Sequence, residues 1–308
     1  MECSVKPMSA LSAMKECKYN VQHIHERPSN WALKSISREH GMIHIPSGVK
    51  ALDERLRGGF RIATITEVIG RSGVGKTQLA LQLCVTAAKL GQGTIYIDTE
   101  QKMSLKRLEQ ISSERYASSR ADNDDMMPFK HPRTVLQNVT LHMASDTQDL
   151  LDLVLKLEEE IAIRNEESRN QTETFPVRLV VIDSIAATWR KSVGQTDAFQ
   201  RAQILMSITQ TLKRLAHEQN LAFVVINQAG QEEIINSEVS GTNSSLGLTW
   251  NHCVSTRLFL QSAQGHEQPQ EKSQIIRKAT IDKSNTIERS SVWFDITNLG
   301  IVDAYSFT

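Results

Sequence analysis

The chain has 308 residues, 40% of them hydrophobic, and its 35 Lys plus Arg balance its 35 Asp plus Glu. That length and apolar share are enough to bury a real core, which excludes a disordered chain, and the balanced charge excludes a global positive field, so any DNA contact has to come from local clusters. Cys3, Cys17, Cys84 and Cys253 form no C-x-x-C pair, which speaks against a zinc site or disulfide framework, while the lack of a long apolar run or of a secretory signal order at the N-terminus predicts a soluble, intracellular protein without membrane contact.

Residues 1–40 have weak periodicity, with Pro7, Pro28 and scattered polar residues, and read as an N-terminal arm or linker carrying one short helix. From Ile62 to Ile69 an apolar run predicts a buried strand, followed by glycines and a helical stretch from Lys76 to Leu90. Gly93–Asp98 predicts a second strand, leading into an amphipathic helix around Ser104–Tyr116. Val139–Met143 and then Asp146–Glu160 repeat the strand–helix alternation. Between them, Ala117–Thr134, with its Asn-Asp-Asp run and two prolines, reads as a surface excursion. Arg178–Asp183 and Leu221–Asn227 are nearly continuous apolar runs, as expected of strands covered on both faces of a parallel sheet. After Ser255 the runs shorten and become β-rich, which predicts an antiparallel extension at one sheet edge. The fold class is therefore α/β, with a mainly parallel central sheet flanked by helices.

Gly70-Arg71-Ser72-Gly73-Val74-Gly75-Lys76-Thr77 fits the phosphate-loop pattern G-x-x-x-x-G-K-[ST] in full and sits between a predicted strand and a predicted helix. The glycines let backbone N–H groups turn inward on anionic oxygens, Lys76 supplies a point charge to the β- and γ-phosphates of ATP, and Thr77 places a hydroxyl for Mg²⁺. A magnesium site also needs an acid, and Asp183 ends a strand where a carboxylate reaches such a metal, usually through water. Glu100, just beyond the strand Ile95–Asp98, is placed to orient and deprotonate an attacking water, although a carboxylate there also serves as a helix-start neighbour. Gln228, after the strand ending at Asn227, offers an amide that senses the γ-phosphate, or else is a polar strand-end residue.

Taken in order, Glu67–Leu83, Tyr96–Glu100, Leu179–Ser184, Val225–Gln228 and Leu246–Asn251 with Ser255–Leu258 resemble the motif blocks of the RecA/RadA recombinase family. The likeness covers about residues 30–308 and is nearest to the eukaryotic recombinase paralogues, the accessory subunits of strand-exchange complexes. It implies a RecA-like P-loop ATPase core over residues 41–308, with Lys76, Glu100 and Gln228 in catalysis and Thr77 and Asp183 on the metal. Gln78, which follows G-K-T in eukaryotic members, and Arg107, at the place of an adenine-contacting arginine, join the nucleotide site by the same resemblance. Two DNA loops are implied, over about 190–199 and 229–245. The first brings Arg190 and Lys191, with Arg201 nearby, and the second carries Glu232, Glu233 and Glu238 and no Lys or Arg.

The resemblance further implies an ATP-binding, DNA-dependent ATPase subunit working in the nucleus in homologous recombination and double-strand break repair. Its partners would be single-stranded or branched DNA and other recombinase-like subunits. Three departures bear on assembly. The arm is too short for the helix-hairpin-helix domain of filament-forming relatives, Ser29-Asn-Trp-Ala32 stands where they carry Phe-x-x-Ala, and Lys283–Glu288 holds no capping proline. A second reading follows from them: a largely non-hydrolysing interaction subunit that uses ATP to hold its fold and its partner interface.

Overall fold

The nearly continuous apolar runs become neighbouring central strands, because a strand covered on both faces keeps such a run out of water. The computed structural model describes residues 44–121, 131–171, 173–192, 197–228, 246–263 and 276–304. In chain order its elements begin with β1 (His44–Ile45), α1 (Lys50–Arg55), β2 (Phe60–Arg61), β3 (Thr64–Gly70), α2 (Lys76–Lys89), β4 (Gly93–Asp98), α3 (Leu105–Ala121), α4 (Arg133–Gln137) and β5 (Val139–Met143). They continue with α5 (Thr147–Asn170), β6 (Val177–Asp183), α6 (Ile185–Ser192), α7 (Ala198–Glu218), β7 (Ala222–Gln228), α8 (Gly247–Cys253), β8 (Thr256–Ser262), β9 (Arg277–Ser284), β10 (Ser290–Thr297) and β11 (Gly300–Asp303). The arm expected over residues 1–40 lies outside the described residues.

Nine of these strands form one sheet in the order β11-β10-β9-β8-β3-β7-β6-β4-β5. The six from β8 to β5 are parallel, and β9, β10 and β11 add to β8 antiparallel, as the shorter β-rich runs predict. The crossovers set β3, β7, β6 and β4 side by side, so Gly70, Gln228, Asp183 and Asp98 share one edge of the sheet. An open parallel sheet binds ligands at such carboxyl ends.

Two cores cover the two faces. Val68, Val224 and Leu258 pack with Leu79 and Leu83 of α2 on one, and Ile65, Val180, Phe223 and Val225 pack with Leu150, Val154, Ile208, Leu212 and Trp250 of α5, α7 and α8 on the other. The strands fall within a residue or two of their expected places. Two helices run longer: α3 continues to Ala121, and α5 continues to Asn170, where Ile161 extends its buried stripe by a turn before the polar tail. The expected excursion is accordingly shorter, since α3 and α4 take up both of its ends and residues 122–130 lie outside the described set. Among the described residues no helix is long and apolar enough to cross a membrane.

The C-terminal strands are tied back onto the first half of the chain. Gln82 of α2 accepts from Ile301 N at 2.6 Å and donates to Ser47 O at 2.8 Å, both inside the core. Asp303 caps α1 by accepting from Lys50 N and Ala51 N, each at 2.9 Å. Arg115 of α3 donates to Leu299 O and Ile301 O, each at 2.8 Å. These contacts hold β11 and the turn before it against α1, the middle of α2 and α3, while Ile296 of β10 lines the cleft beside the phosphate loop.

At the opposite edge, His142 of β5 lies 2.9 Å from the Glu160 carboxylate of α5. The Glu160 hydrogen bond and charge outweigh partial burial and raise the His142 pKa above its ordinary 6.5. Because the folded-state value is the raised one, the stabilisation is fully present below pH 6.5 and is lost as pH rises from there through the raised folded-state value. Both side chains are partly exposed, so the effect stays below about 1 kcal/mol. Glu160→Gln should therefore lower the urea midpoint at pH 6 and leave it near wild type at pH 8. Equal losses at both pH values would show that the pair does not carry this charge.

Candidate phosphate-binding site

The strand β3 ends at Gly70 and the helix α2 begins at Lys76, with the loop between them built where only glycine fits. A Cβ on Gly70 would meet the carbonyl oxygen of Leu260 at 2.3 Å, so the close approach of β8 demands its absence. Gly75 has φ +109°, and a Cβ there would meet Ile296 Cδ1 of β10 at 2.8 Å. Val74 is buried and anchors the loop, whereas Arg71 and Ser72 are exposed at its crest. Lys76 reaches back along the loop, donating to Gly70 O and Arg71 O, each at 2.7 Å. Burial lowers its pKa to about 8, against the opposing pull of Asp183 and Glu100.

Next to the loop, Thr77 Oγ1 donates to Asp183 Oδ2 at 2.7 Å. The same carboxylate oxygen accepts from Tyr96 OH at 2.8 Å. Burial pushes the Asp183 carboxyl up, partly offset by these two hydroxyls. The Asp183–Ser184 peptide is cis. A hydroxyl beside a carboxylate at the first turn of a helix is an oxygen donor set of the kind a hard divalent cation takes alongside phosphate oxygens. The residues present therefore fit Mg²⁺ with a nucleotide.

Glu100 faces this pair across the cleft. Its Oε1 accepts from Ser184 Oγ and from Gln228 Nε2, each at 2.9 Å, Lys102 pairs with Oε2, and Arg190 stands 3.6 Å from Oε1. Burial pushes the carboxyl up, but Lys102, Ser184 and Arg190 together hold it below the ordinary glutamate value. The turn that presents it is fixed by Asp98, which accepts from Glu100 N at 3.0 Å and from Met103 N at 2.8 Å. The cleft is lined by Ser72, Gly73, Gly75, Lys76, Thr77, Gln78, Glu100, Lys102, Asp183, Ser184, Ile226, Gln228 and Ile296.

The structure thus brings the loop, Lys76, Thr77, Gln78, Glu100, Asp183 and Gln228 into one cleft. Arg107 lies beside it: Nε donates to Gln78 Oε1 at 2.8 Å, and the guanidinium also reaches Thr297 O at 2.5 Å and Gln110 Oε1 at 2.7 Å. The expected polar loop over 190–199 is shorter than the sequence suggests. Residues 190–192 belong to α6, whose Ile185, Ala186, Ala187 and Thr188 are buried, and Asp197 caps α7 by accepting from Gln200 N at 2.8 Å. Arg190 and Lys191 therefore stand on a helix end, with the Arg190 guanidinium turned toward Glu100, and half-buried Arg201 lies in the first turn of α7. The second loop, 229–245, lies outside the described residues.

Sequence reasoning missed Tyr96, Ser184, Lys102 and Ile296. Tyr96 and Ser184 had a usable signal, being polar groups inside or beside strand runs already assigned to the site. Ile296 had none, because it comes from β10, some 200 residues away in the chain. Also missed was Glu67, a charged residue inside a run read as a buried strand.

The sequence model of the Rad51 family matches residues 38–304. A protein of Arabidopsis thaliana named DNA repair protein XRCC3 homolog is 28% identical over 246 residues, 72% of this chain and 76% of its own length. The DNA repair protein XRCC3 of Bos taurus is 31% identical over 235 residues, 72% of this chain and 64% of its own length. The meiotic recombination protein DMC1 of Saccharomyces cerevisiae is 28% identical over 314 residues, 98% of this chain and 83% of its own length.

Proposed function

The chain belongs to the Rad51 family, and from that premise we propose that it is an ATP-binding, DNA-dependent ATPase subunit of a recombinase paralogue complex, acting in homologous recombination and double-strand break repair in the nucleus. The observation that carries the reading is the meeting of Thr77 with Asp183 and of Gln228 with Glu100 at the mouth of one phosphate loop. Lys76, the loop amides and the α2 N-terminus would hold the triphosphate, and Thr77 and Asp183 would hold Mg²⁺, which neutralises phosphate charge when bound. Glu100 would orient a water against the γ-phosphate, and Gln228 touches Glu100 from the strand that precedes segment 229–245. Gln78 and Arg107, hydrogen-bonded to each other beside the cleft, would contact the base, as the family resemblance implies. By the family resemblance Arg190, Lys191 and Arg201 would be the cations that meet DNA phosphate, single-stranded or branched, Arg190 leaving Glu100 to do so, and the remaining partners would be other recombinase-like subunits.

A second reading, a subunit that binds ATP and hydrolyses it little, draws on the hydrogen bonds that load Glu100. They make it a weaker base than a free carboxylate. ATP turnover separates the two, measured with and without single-stranded DNA, on the chain alone and with recombinase-like subunits. Stimulated turnover supports the first reading, and nucleotide binding without turnover in every mixture supports the second.

Lys76→Ala removes a charge-assisted contact to phosphate, so ATP affinity should fall about ten- to a hundredfold, or about 1.5–3 kcal/mol. Calorimetric titration on a variant with wild-type circular dichroism checks this. Unchanged affinity would overturn the phosphate-site assignment.

A further inference from the structure

Glu67 is completely buried in the middle of β3, three residues before the phosphate loop. Strand alternation turns it toward the same face as Ile65, against α7 and α8, and away from the face that α2 covers. Its Oε1 accepts from Asn227 Nδ2 and from Trp250 Nε1, each at 2.8 Å, and its Oε2 accepts from Arg257 Nε at 2.6 Å. Arg257 sits directly beside it in register on β8 and donates onward to Asn251 Oδ1 of α8 at 3.0 Å. Lys283 of β9 closes the far side by donating to Asn251 O.

This cluster is joined to the phosphate cleft by two adjacent residues of β7. Asn227 shares the face of Phe223 and Val225, whereas Gln228 shares the cleft side with Ile226. Asn227 Oδ1 accepts from Gln228 N at 2.8 Å, and Gln228 Nε2 donates to Glu100 Oε1 at 2.9 Å. One run of hydrogen bonds therefore passes from Glu100 through Gln228, Asn227 and Glu67 to the indole of Trp250. A buried carboxylate is tolerated only when its lone pairs are taken, and low dielectric makes each of those bonds stiff and directional. Movement of one donor of Glu67 must then be answered by the others, because leaving the carboxylate short of a partner costs more than shifting it.

We propose that Glu67 is a positioning residue for the nucleotide site: through Asn227 it sets Gln228 against Glu100, and through Trp250 it ties that setting to α8, so that occupation of the phosphate cleft alters the hydrogen bond Trp250 gives to Glu67. The inference rests on the ATP-binding reading and does not need hydrolysis.

The test is a full-length chain in which Trp31, Trp189 and Trp293 are replaced with phenylalanine, leaving Trp250 as the reporter. ATP with Mg²⁺ is titrated while binding is followed independently by calorimetry. Trp250 emission should change in step with the binding isotherm. In the same background Asn227→Leu cuts the run between Gln228 and Glu67, so nucleotide should still bind while the emission change falls at least tenfold. Asn227→Ala carries the same expectation should the leucine variant not fold. Binding without any Trp250 response, or a full response in a folded Asn227 variant, overturns the inference alone. Absence of binding overturns the nucleotide reading, and the inference with it. A purely structural Glu67 would give a Trp250 signal indifferent to nucleotide.

Discussion

Replacing Glu100 with glutamine should lower DNA-stimulated ATP hydrolysis about 10²-fold or more while ATP affinity changes less than about threefold. The carboxylate is ionised at neutral pH because Lys102, Ser184 and Arg190 outweigh the burial that pushes it up. Glutamine keeps the length of the side chain and one acceptor oxygen, so Ser184 and Gln228 can still donate to the residue. What it loses is the negative charge that Lys102 and Arg190 face and the capacity to take a proton from water. Binding depends mainly on the loop, Lys76 and Thr77, and Glu100 acts on Lys76 through charge alone, with burial the larger influence on that lysine, so most of the loss should fall on kcat rather than KM. Steady-state turnover with single-stranded DNA and partner subunits, beside calorimetric ATP affinity, reads the two quantities apart. A variant that turns over at the wild-type rate would make Glu100 a bystander, and a variant that loses binding in proportion would make it part of the nucleotide pocket.

Most of the fold was legible because its signals are local. A parallel strand covered on both faces writes a mostly apolar run, and β3, β4, β6 and β7 were each expected within a residue or two of their observed ends. The site was legible to the extent that its residues sit at the carboxyl ends of those strands: Gly70, Asp183 and Gln228 share one edge because of strand order alone. What stayed hidden is set by packing between segments distant in sequence. Nothing in the Leu105–Ala121 stretch announces that Arg107 and Arg115 clamp the carbonyls of residues 297–301, because a backbone acceptor leaves no mark on the sequence. Arg190 reads as a loop cation until α6 is seen to bury Ile185–Thr188 and carry the arginine round to Glu100. Glu67 did leave a signal, since a charge in a strand buried on both sides has to be paired, and Arg257 in the run Thr256–Leu260 is its complement. Finding that pair needs the adjacency of β3 and β8, which composition and periodicity do not supply.

Replacing Arg257 with methionine should cost about 3–5 kcal/mol of unfolding free energy, the largest single-residue loss expected outside the apolar core. Both members of the pair are out of water, with side-chain exposures of 2% for Arg257 and 0% for Glu67. Methionine fills much of the volume of the arginine stem, so packing is largely kept and what remains is a buried carboxylate short of one charged donor. The penalty therefore comes from Glu67 rather than from the arginine itself. Neutralising both partners should relieve it: Glu67→Gln with Arg257→Met should cost less than the sum of the single changes, the difference being their coupling energy. An exposed pair offers the control. Arg214 bridges Glu158 and Glu218 at 2.7 and 2.8 Å, but all three side chains are close to half exposed, so Arg214→Gln should leave the urea midpoint near wild type. Urea unfolding of these variants at one salt concentration, repeated at high salt, distinguishes the cases, because screening erodes surface pairs and leaves buried ones nearly untouched. A loss below about 1 kcal/mol for Arg257→Met would mean that Asn227 and Trp250 hold Glu67 without the arginine, and the cluster would then owe its geometry to hydrogen bonding rather than to charge.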